Sequence, residues 1–519
     1  MSLLALFAAL VAYTNPILWS DYSDPDVIEV DGTYWMTSSS FNCVPGLQIL
    51  KSNNLIDWEI AGAALRSPGL SYGHGNGVWA PSIRYHEGLF HIFWGDPDRG
   101  IFEVHSEDPT GEWSEPHLVI EGKGLIDPCP LWDDDGRVWL VHGWAGSRAG
   151  FKSVLSVCEL APDLSRAISS QVMVFDGKAT DNETVEGPKF YKKGSWYYIF
   201  APAGGVRTGW QLVLRSKSVL GPYEWRKVLH QGTTSIHGPH QGAWVEDAAG
   251  ASWFLHFEDR GAFGRVVHLQ PMKWLSDGWC VIGSDPDGDG IGEPVKKASS
   301  PTPFLVKTSD TEEHHVSALS TKTGFSYTEI PLNWQWHAVP DLSWYMTVPS
   351  LNSLRLNCIR SEEGWRNLWD TPNLLLEKIV GPSMEFTTSF DYREGYEGER
   401  VGLVVMGRDY SSIELVRTSD GVSIRRVLCQ GASKGAEEIF SGAIPAVKGR
   451  TVGGSVKVYF RVQISKEALC SFSYSYDGKS FKALGEPFQA VQGEWIGAKI
   501  GYYAISSIKK NDGGYVLVS

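Results

Sequence analysis

The chain has 519 residues, of which 42% are hydrophobic and 20% are charged, and its net charge is −14. This length exceeds one ordinary hydrophobic core, and the composition is that of a soluble globular protein, so we expect two domains. No basic stripe is present that could neutralise phosphates, which argues against a nucleic-acid partner, and no apolar run is long enough for a membrane span. An uncharged ligand suits this charge balance better.

The N-terminus begins with an apolar run over residues 2–12, which has the length of a signal-peptide core but lacks a basic segment before it. We therefore predict that residues 1–14 are a signal segment and that the protein is secreted or extracytoplasmic. A cytoplasmic location is the alternative.

Seven cysteines are spread along the chain without a CxxC pair or a histidine at metal-ligand spacing. An odd number in this arrangement argues against a disulfide framework and against a zinc site. We expect mostly buried thiols.

Five similar segments follow the N-terminal run, and each joins a strand-like run, a turn with glycine and a second strand rich in aromatic residues. Their opening residues, separated by 55, 48, 59 and 54 residues, are Asp24, Trp79, Asp127, Glu186 and His240. The repeated unit is typical of a β-hairpin, and its spacing suits one four-stranded propeller blade. We predict a five-bladed β-propeller over residues 15–283.

Blades of a propeller are arranged radially, so the first residues of the innermost strands should face one channel. Asp24, Asp127 and Glu186 would then meet, and three carboxylates in one pocket suggest acid–base chemistry. Asp24 and Asp127 each precede proline and, taken alone, are as well explained as turn residues. Their matching places in the repeat favour the functional interpretation.

The repeat ends near Ile282, and residues 284–325 are predicted to be a linker. Aspartates at 285, 287 and 289 suggest a calcium loop, but Lys296 stands where an EF-hand requires its bidentate glutamate, so a turn is favoured. Residues 326–519 contain short alternating runs, which predict an antiparallel β-sandwich. Long helical periodicity is missing from the sequence, so we predict a nearly all-β protein.

Together these motifs resemble glycoside hydrolase family 43, specifically its two-domain, exo-acting members with a propeller and a C-terminal sandwich of jelly-roll or concanavalin-like type. The segments that carry the similarity are, in order, Asn15-Pro16-Ile17-Leu18, Ser23-Asp24-Pro25-Asp26-Val27, Phe41, Pro45-Gly46, Asp57-Trp58, Val78-Trp79-Ala80-Pro81-Ser82-Ile83-Arg84, Ile126-Asp127-Pro128, Val185-Glu186-Gly187-Pro188, His240-Gln241-Gly242, Gly264-Arg265, Leu332-Asn333-Trp334-Gln335-Trp336 and Pro372-Asn373-Leu374-Leu375-Leu376.

The resemblance implies that Asp24 is the general base that activates water, that Glu186 is the general acid and that Asp127 orients Glu186 and modulates its pKa. Inverting hydrolysis needs one ionised and one protonated carboxyl, roughly 6.5–9.5 Å apart. A neighbouring carboxylate disfavours ionisation of the acid, which keeps its proton available.

Substrate-binding residues are also implied by the resemblance. Phe41 and Trp79 would wall the terminal-sugar subsite, and Arg265 would reach the sugar hydroxyls near the base. His240 would lie at the channel centre, where it supports a structural calcium ion or a water molecule beneath the sugar. No cofactor is expected to be required. Each residue also has a purely structural explanation: core packing for the aromatics, an ion pair for Arg265 and a buried hydrogen bond for His240.

One sandwich residue, Trp495, is a candidate for a loop that reaches the pocket mouth, with a place in the sandwich core as the alternative. In the resembling family this loop restricts the pocket to chain ends.

The predicted function is an exo-acting, inverting glycoside hydrolase that releases terminal pentose from xylan- or arabinan-derived chains, as a β-xylosidase, an α-L-arabinofuranosidase or both. Its partner would be an oligosaccharide or polysaccharide, and the oligomeric state stays open. An endo-arabinanase-like hydrolase is disfavoured by the long second domain. A non-catalytic carbohydrate-binding propeller is disfavoured by Glu186, and a retaining fructan-type hydrolase by the missing Asn-Asp-Pro and Arg-Asp-Pro motifs.

Overall fold

The computed structural model of the chain describes residues 12–66, 73–301, 325, 328–446, 455–507 and 513–519. Over these residues β-strands dominate, which confirms the predicted all-β class. The described helices are single turns, and none is long and apolar enough to cross a bilayer. They are α1 (Gly146–Ala149) and four 3-10 turns at Gly261–Phe263, Pro349–Leu351, Leu368–Asp370 and Ala432–Lys434.

The N-terminal domain is a five-bladed propeller, as predicted, and each blade is a four-stranded antiparallel sheet whose strands follow chain order. A short strand, β1 (Ala12–Thr14), precedes the blades. From the inside outward, blade 1 contains β2 (Asp26–Val30), β3 (Thr33–Thr37), β4 (Gly46–Ser52) and β5 (Glu59–Leu65); blade 2 contains β6 (Trp79–His86), β7 (Leu89–Asp96), β8 (Gly100–Ser106) and β9 (His117–Glu121); blade 3 contains β10 (Leu125–Trp132), β11 (Val138–Trp144), β12 (Val154–Leu160) and β13 (Val172–Asp176); blade 4 contains β14 (Lys189–Lys193), β15 (Trp196–Ala203), β16 (Trp210–Ser216) and β17 (Glu224–Leu229); and blade 5 contains β18 (His240–Glu246), β19 (Ser252–Asp259), β20 (Arg265–Trp274) and β21 (Cys280–Ile282).

The ring closes where β18 lies against β2. The segment before β2 runs along β20 of blade 5, with the amide of Ile17 donating to Val267 O at 2.9 Å. Asn15 continues the contact, because its side chain donates to Leu269 O (2.8 Å) and accepts from Leu269 N (2.8 Å). Apolar side chains of this segment pack between blades 1 and 5, including Tyr13 and Ile17. The segment therefore joins the last blade to the first.

A buried polar network links the innermost strands of blades 1 to 4. Asp26 in β2 accepts hydrogen bonds from Arg84 Nη1 (2.7 Å) and from the amide of Ile83 (2.8 Å), both in β6. Arg84 Nη2 also contacts Cys129 Sγ in β10 (2.8 Å). Lys189, which opens β14 and is fully buried, donates to Pro81 O at 2.7 Å. Buried charges are tolerated only with such partners, so the network fixes the strands relative to one another.

The described part of the predicted linker is attached to the propeller. Strand β22 (Lys297–Ser299) pairs with β1, so Ala12–Thr14 belongs to the fold, although it falls within the predicted signal segment. Glu293 accepts from the backbone and hydroxyl of Thr233 at 3.0 and 2.8 Å. Residues 1–11 and 302–324 lie outside the described residues.

The C-terminal domain is a sandwich of two eight-stranded sheets. In spatial order, the first sheet contains β23 (Trp334–Trp336), β27 (Leu375–Lys378), β37 (Lys499–Ser506), β29 (Arg400–Met406), β30 (Tyr410–Thr418), β31 (Gly421–Cys429) and β32 (Ile439–Pro445), with β26 (Ile359–Arg360) beside β37; the second contains β24 (Tyr345–Val348), β25 (Ser353–Asn357), β38 (Tyr515–Val518), β28 (Met384–Arg393), β33 (Ser455–Ile464), β34 (Leu469–Ser475) and β35 (Lys482–Ala483), with β36 (Phe488–Gln489) beside β34. All seven cysteines of the chain are free, as expected from their spacing.

The two domains share an interface that resembles a domain interior. Val44 and Trp336 exchange backbone hydrogen bonds of 3.0 and 2.6 Å, and the amide of Ala498 donates to Ala262 O at 2.7 Å. Propeller residues, among them Phe263, pack into the hydrophobic core of the sandwich. Lys499 is buried and donates to Cys43 Sγ (3.0 Å) and to Gln335 Oε1 (2.9 Å). Separating the domains would leave these groups without their partners.

We expect that a chain truncated to residues 15–325 will be insoluble or inactive, because its apolar interface would be exposed to water. Size-exclusion chromatography and thermal unfolding of this fragment beside the full chain provide the measurement. A soluble, monodisperse and fully active fragment would contradict the dependence of the propeller on the sandwich.

Candidate active site

In each blade, one residue just before or within the innermost strand has a left-handed backbone conformation. The five residues in this conformation are Asp24 (φ 56°), Ala80 (φ 32°), Asp127 (φ 56°), Gly187 (φ 56°) and Gln241 (φ 36°). Four of them precede proline, the exception being Gln241 before Gly242. A positive φ is costly for residues other than glycine, and strained backbone of this kind concentrates at functional sites. The five blades therefore share this backbone conformation as well as their sequence pattern.

In blades 2, 4 and 5, the left-handed residue lies one position after the opening residue of the predicted repeat. Asp24 and Asp127 occupy the left-handed position, whereas Trp79, Glu186 and His240 precede it. Asp24 and Glu186 also lie just before β2 and β14 rather than on the first residue of each strand, and Asp127 lies within β10. Alignment of the first four segments on their residue–proline steps would have revealed this register.

Asp24 is buried and has partners for both carboxylate oxygens. Ser39 Oγ donates to Oδ2 at 2.5 Å, and the same hydroxyl accepts from the amide of Ala80 at 2.7 Å. Arg265 Nη1 lies 3.6 Å from Oδ1. A hydroxyl donor and a guanidinium both interact favourably with a carboxylate. Ser39 was not singled out from the sequence, where its only signal is a run of three serines after β3.

Asp127 and Glu186 form an interacting pair across blades 3 and 4. The amide of Gly187 donates to Asp127 Oδ2 at 2.7 Å, which places Asp127 beside Glu186. Burial raises the pKa of Asp127 to about 7, and the Gly187 amide opposes this rise. Burial, followed by the charges of Asp127 and Asp24, raises the pKa of Glu186 to about 8. The two carboxyls titrate as a coupled pair, and the burial and charges around Glu186 favour its protonated form near neutral pH.

Glu186 is nevertheless open to a reactant, since 31% of its side chain is exposed. A carboxyl that is protonated near neutral pH and accessible from one side can act as a general acid.

His240 lies next to Glu186, with Nε2 3.3 Å from Oε1. Burial, and to a lesser degree the charge of Arg265, lower the pKa of His240 to about 3, so the imidazole is neutral and the contact is not an ion pair. Neither ring nitrogen has a hydrogen-bond partner among the described residues. Such buried nitrogens suit a polar group or water in the channel.

The predicted structural calcium ion at His240 stays a prediction. Calcium takes six to eight oxygen ligands, which include water and carbonyl oxygens as well as carboxylates. Near His240 lie the carboxylate of Glu186 and the charge of Arg265, which have opposite effects on a cation. A water molecule is the alternative given together with calcium.

Three aromatic side chains line one side of the site. The rings of Phe41 and Trp79 meet edge to face at 6.4 Å, and those of Trp79 and Trp495 at 6.1 Å. Phe41 is only 3% exposed, so it backs Trp79 rather than offering a face of its own. Trp495 is 47% exposed and comes from the sandwich. The sandwich therefore contributes to this wall, and Trp495 is not a core residue.

Asp21, another residue that the sequence did not single out, ties the propeller site to the sandwich loop. Its Oδ1 accepts from the amide of Arg265 (2.9 Å), and its Oδ2 accepts from the amide of Gly497 (3.0 Å), two residues after Trp495. Gly264 has φ 75°, and a Cβ there would lie 2.4 Å from Asp21 Cγ, so only glycine fits. One carboxylate thus holds both Arg265 and the loop that carries Trp495.

Comparison with known proteins gives two family matches that together span both domains. The family model described as "Glycosyl hydrolases family 43" matches residues 13–280. The model described as "Beta xylosidase C-terminal Concanavalin A-like domain" matches residues 322–518.

Among similar proteins, one from Xylanibacter ruminicola named "Putative beta-xylosidase" is 34% identical, over 94% of this chain and 85% of the relative. A non-reducing end α-L-arabinofuranosidase of Bacteroides ovatus is 26% identical over 78% of this chain and 76% of its own. In fold, the crystal structure of a xylan β-1,4-xylosidase from Bacillus halodurans C-125 matches with TM-score 0.82 and 21% identity, over 97% of this chain and 98% of the other.

The first family model covers more than half of the chain, and the propeller that it covers contains the three carboxylates described above. The chain belongs to glycoside hydrolase family 43 and is a glycosidase that acts on carbohydrate.

Proposed function

We propose that the protein is an exo-acting, inverting glycosidase that releases terminal pentose, as a β-xylosidase, an α-L-arabinofuranosidase or both. The observation that carries this proposal is the contrast between Asp24, which is held by a hydroxyl and a guanidinium, and Glu186, whose pKa is raised to about 8. One carboxylate and one carboxylic acid are what single-displacement hydrolysis requires.

In the proposed reaction, Asp24 accepts a proton from water as the water oxygen bonds to the anomeric carbon. The bond from that carbon to the leaving oxygen breaks, and Glu186 gives its proton to the leaving oxygen. The products are a free sugar of inverted configuration and a shortened alcohol. Asp127 acts on Glu186 in two ways, because its charge raises the pKa and its carboxylate accepts from the neighbouring Gly187 amide.

The surrounding residues support binding of one terminal sugar. Trp79 and Trp495 provide an aromatic surface for a sugar face, and aromatic rings of this kind combine apolar area with a hydrogen-bonding edge. Arg265 supplies donors for hydroxyls or water, and the neutral imidazole of His240 supplies one donor and one acceptor. The contact between a propeller tryptophan and a sandwich tryptophan favours a pocket closed on one side over a groove open at both ends.

The pentose assignment is supported by the relatives, whose names include a β-xylosidase and an α-L-arabinofuranosidase. Assays of nitrophenyl β-xyloside and nitrophenyl α-L-arabinofuranoside side by side test it. Turnover of neither substrate, with turnover of internally linked arabinan, would replace this proposal with an endo-acting one.

Replacing Asp24 with Asn or Glu186 with Gln is expected to lower turnover by about 10²–10⁴-fold, because each change removes one proton transfer. The Glu186→Gln variant should lose less on a nitrophenyl glycoside than on a natural disaccharide, since a good leaving group needs less protonation. Measurement of kcat and KM on both substrates checks this.

Two exposed residues offer matched controls for these variants, Glu183→Gln in the loop before Glu186 and Asp31→Asn in the first hairpin. Both should retain wild-type rates and melting temperature. Equal losses of Glu186→Gln on the two substrates would argue against its role as general acid.

Replacing Asp127 with Asn is expected to move the basic limb of the pH profile to lower pH. Wild-type activity needs a protonated Glu186 and should fall as the pH rises through about 8. Loss of the Asp127 charge lowers the pKa of Glu186, so activity should fall at a lower pH. Profiles of kcat/KM for the wild type, Asp127→Asn and the exposed control Asp134→Asn measure the shift. A basic limb that does not move would contradict the assigned interaction.

The stereochemical course is expected to be inversion, because Asp24 and Glu186 act as base and acid without a covalent sugar intermediate. Proton NMR of the first sugar released from a β-xyloside should show the α-anomer before mutarotation. Early appearance of the β-anomer would show a double displacement instead.

A further inference from the structure

A second group of ionisable side chains lies in blade 2. Strands β7 and β8 pair so that His91 stands directly opposite His105. Glu103 is two residues before His105, so it lies on the same face of the sheet and diagonal to His91. The three side chains therefore converge on one side of the blade.

The ligand atoms of this cluster are close together. Nδ1 of His91 lies 2.8 Å from Oε1 of Glu103, and Nδ1 of His105 lies 3.3 Å from Oε2 of the same carboxylate. All three ligand atoms lie within 4.8 Å of one another. Atoms bound to one zinc ion at the usual bond lengths of 2.0–2.2 Å are separated by roughly 3.3 Å. The cluster thus needs only small adjustments to hold one ion.

Glu103 is buried without a lysine or arginine partner. Its side chain is 4% exposed, and its ion-pair partners among the described residues are His91 and His105 alone. A buried carboxylate in this setting gains from a cation at this point.

His91 is held in place by aromatic packing. Its ring lies 5.2 Å from the ring of Trp132 in blade 3, which in turn stacks on His86 at 4.7 Å. His91 is buried, whereas the side chain of His105 is 47% exposed. The site therefore has a rigid inner ligand and an outer ligand open to solvent, where water can complete the coordination.

We propose that His91, Glu103 and His105 bind a divalent transition-metal ion such as Zn²⁺, with water as the fourth ligand. Two imidazole nitrogens beside one carboxylate oxygen suit zinc, whereas calcium and magnesium take oxygen ligands and have little use for imidazole nitrogen. In the bound state each imidazole carries one proton, on Nε2, any second ring proton is released to solvent, and the Nδ1 lone pair coordinates the ion. The spacing of cysteines, from which no zinc site is expected, carries no information about such a cross-strand group.

The proposed ion is separate from the catalytic carboxylates. His91 pairs with Arg84 in β6, five residues along the strand from Trp79. At about 3.3 Å per residue this corresponds to on the order of 16 Å. The ion would therefore join β7 to β8 and stabilise blade 2 without entering the proposed reaction.

The test uses the full chain, stripped with a chelator and titrated with zinc chloride by calorimetry in a non-coordinating buffer. The wild type is expected to bind one Zn²⁺ and to melt at a higher temperature when it is bound, because only the folded state holds the ligands together. Glu103→Gln and His105→Ala are each expected to weaken this binding at least tenfold.

The control is His230→Ala, which removes a half-buried histidine that follows β17 in blade 4 and should bind zinc like the wild type. Since His105 is half-exposed, its variant tests the site even if Glu103→Gln fails to fold. Failure of the wild type to bind zinc, or wild-type binding by the His105→Ala variant, overturns the proposal. So does equally tight binding of calcium. Glycosidase activity has no part in any of these readouts, so their failure is separate from that of the proposed function.

Discussion

The polar network at the centre of the propeller is the interaction on which the remaining geometry depends. Asp26, Arg84 and Lys189 are charged and buried, and they come from three innermost strands. Breaking one partner of such a group leaves an uncompensated charge in the interior, which is strongly unfavourable. Because Asp26 follows Asp24 by two residues and Lys189 follows Glu186 by three, the network also determines where these two carboxyl groups stand.

The left-handed residues lie next to this network, just before or within the innermost strands. The same backbone turn serves different chemistry in different blades: it presents a carboxylate at Asp24 and Asp127, whereas at Gly187 it is the preceding Glu186 that reaches the site. The environments then diverge. Ser39 and Arg265 contact Asp24, whereas burial and neighbouring carboxylates act on Glu186. A repeated scaffold thus yields non-equivalent acids, since the groups that contact each of them differ from blade to blade.

The sandwich completes the site rather than standing apart from it. Asp21 accepts from the backbone of Arg265 and of Gly497, so the position of the arginine and that of the loop with Trp495 are coupled through one carboxylate. The interface is apolar and hydrogen-bonded, like a domain core, and a junction of this kind favours one fixed arrangement of the domains.

The sequence by itself determined the fold class, the number of blades and the family, because hairpin periodicity and ordered motifs are local signals that repeat along the chain. It also predicted the convergence of Asp24, Asp127 and Glu186, since radial symmetry brings equivalent positions together. Tertiary structure alone decided the contacts of Ser39 with Asp24 and of Asp21 with Arg265 and Gly497, and the cross-strand group of His91, Glu103 and His105. These depend on backbone turns and on pairing between strands, and single residues of common type leave no distinctive pattern in the sequence.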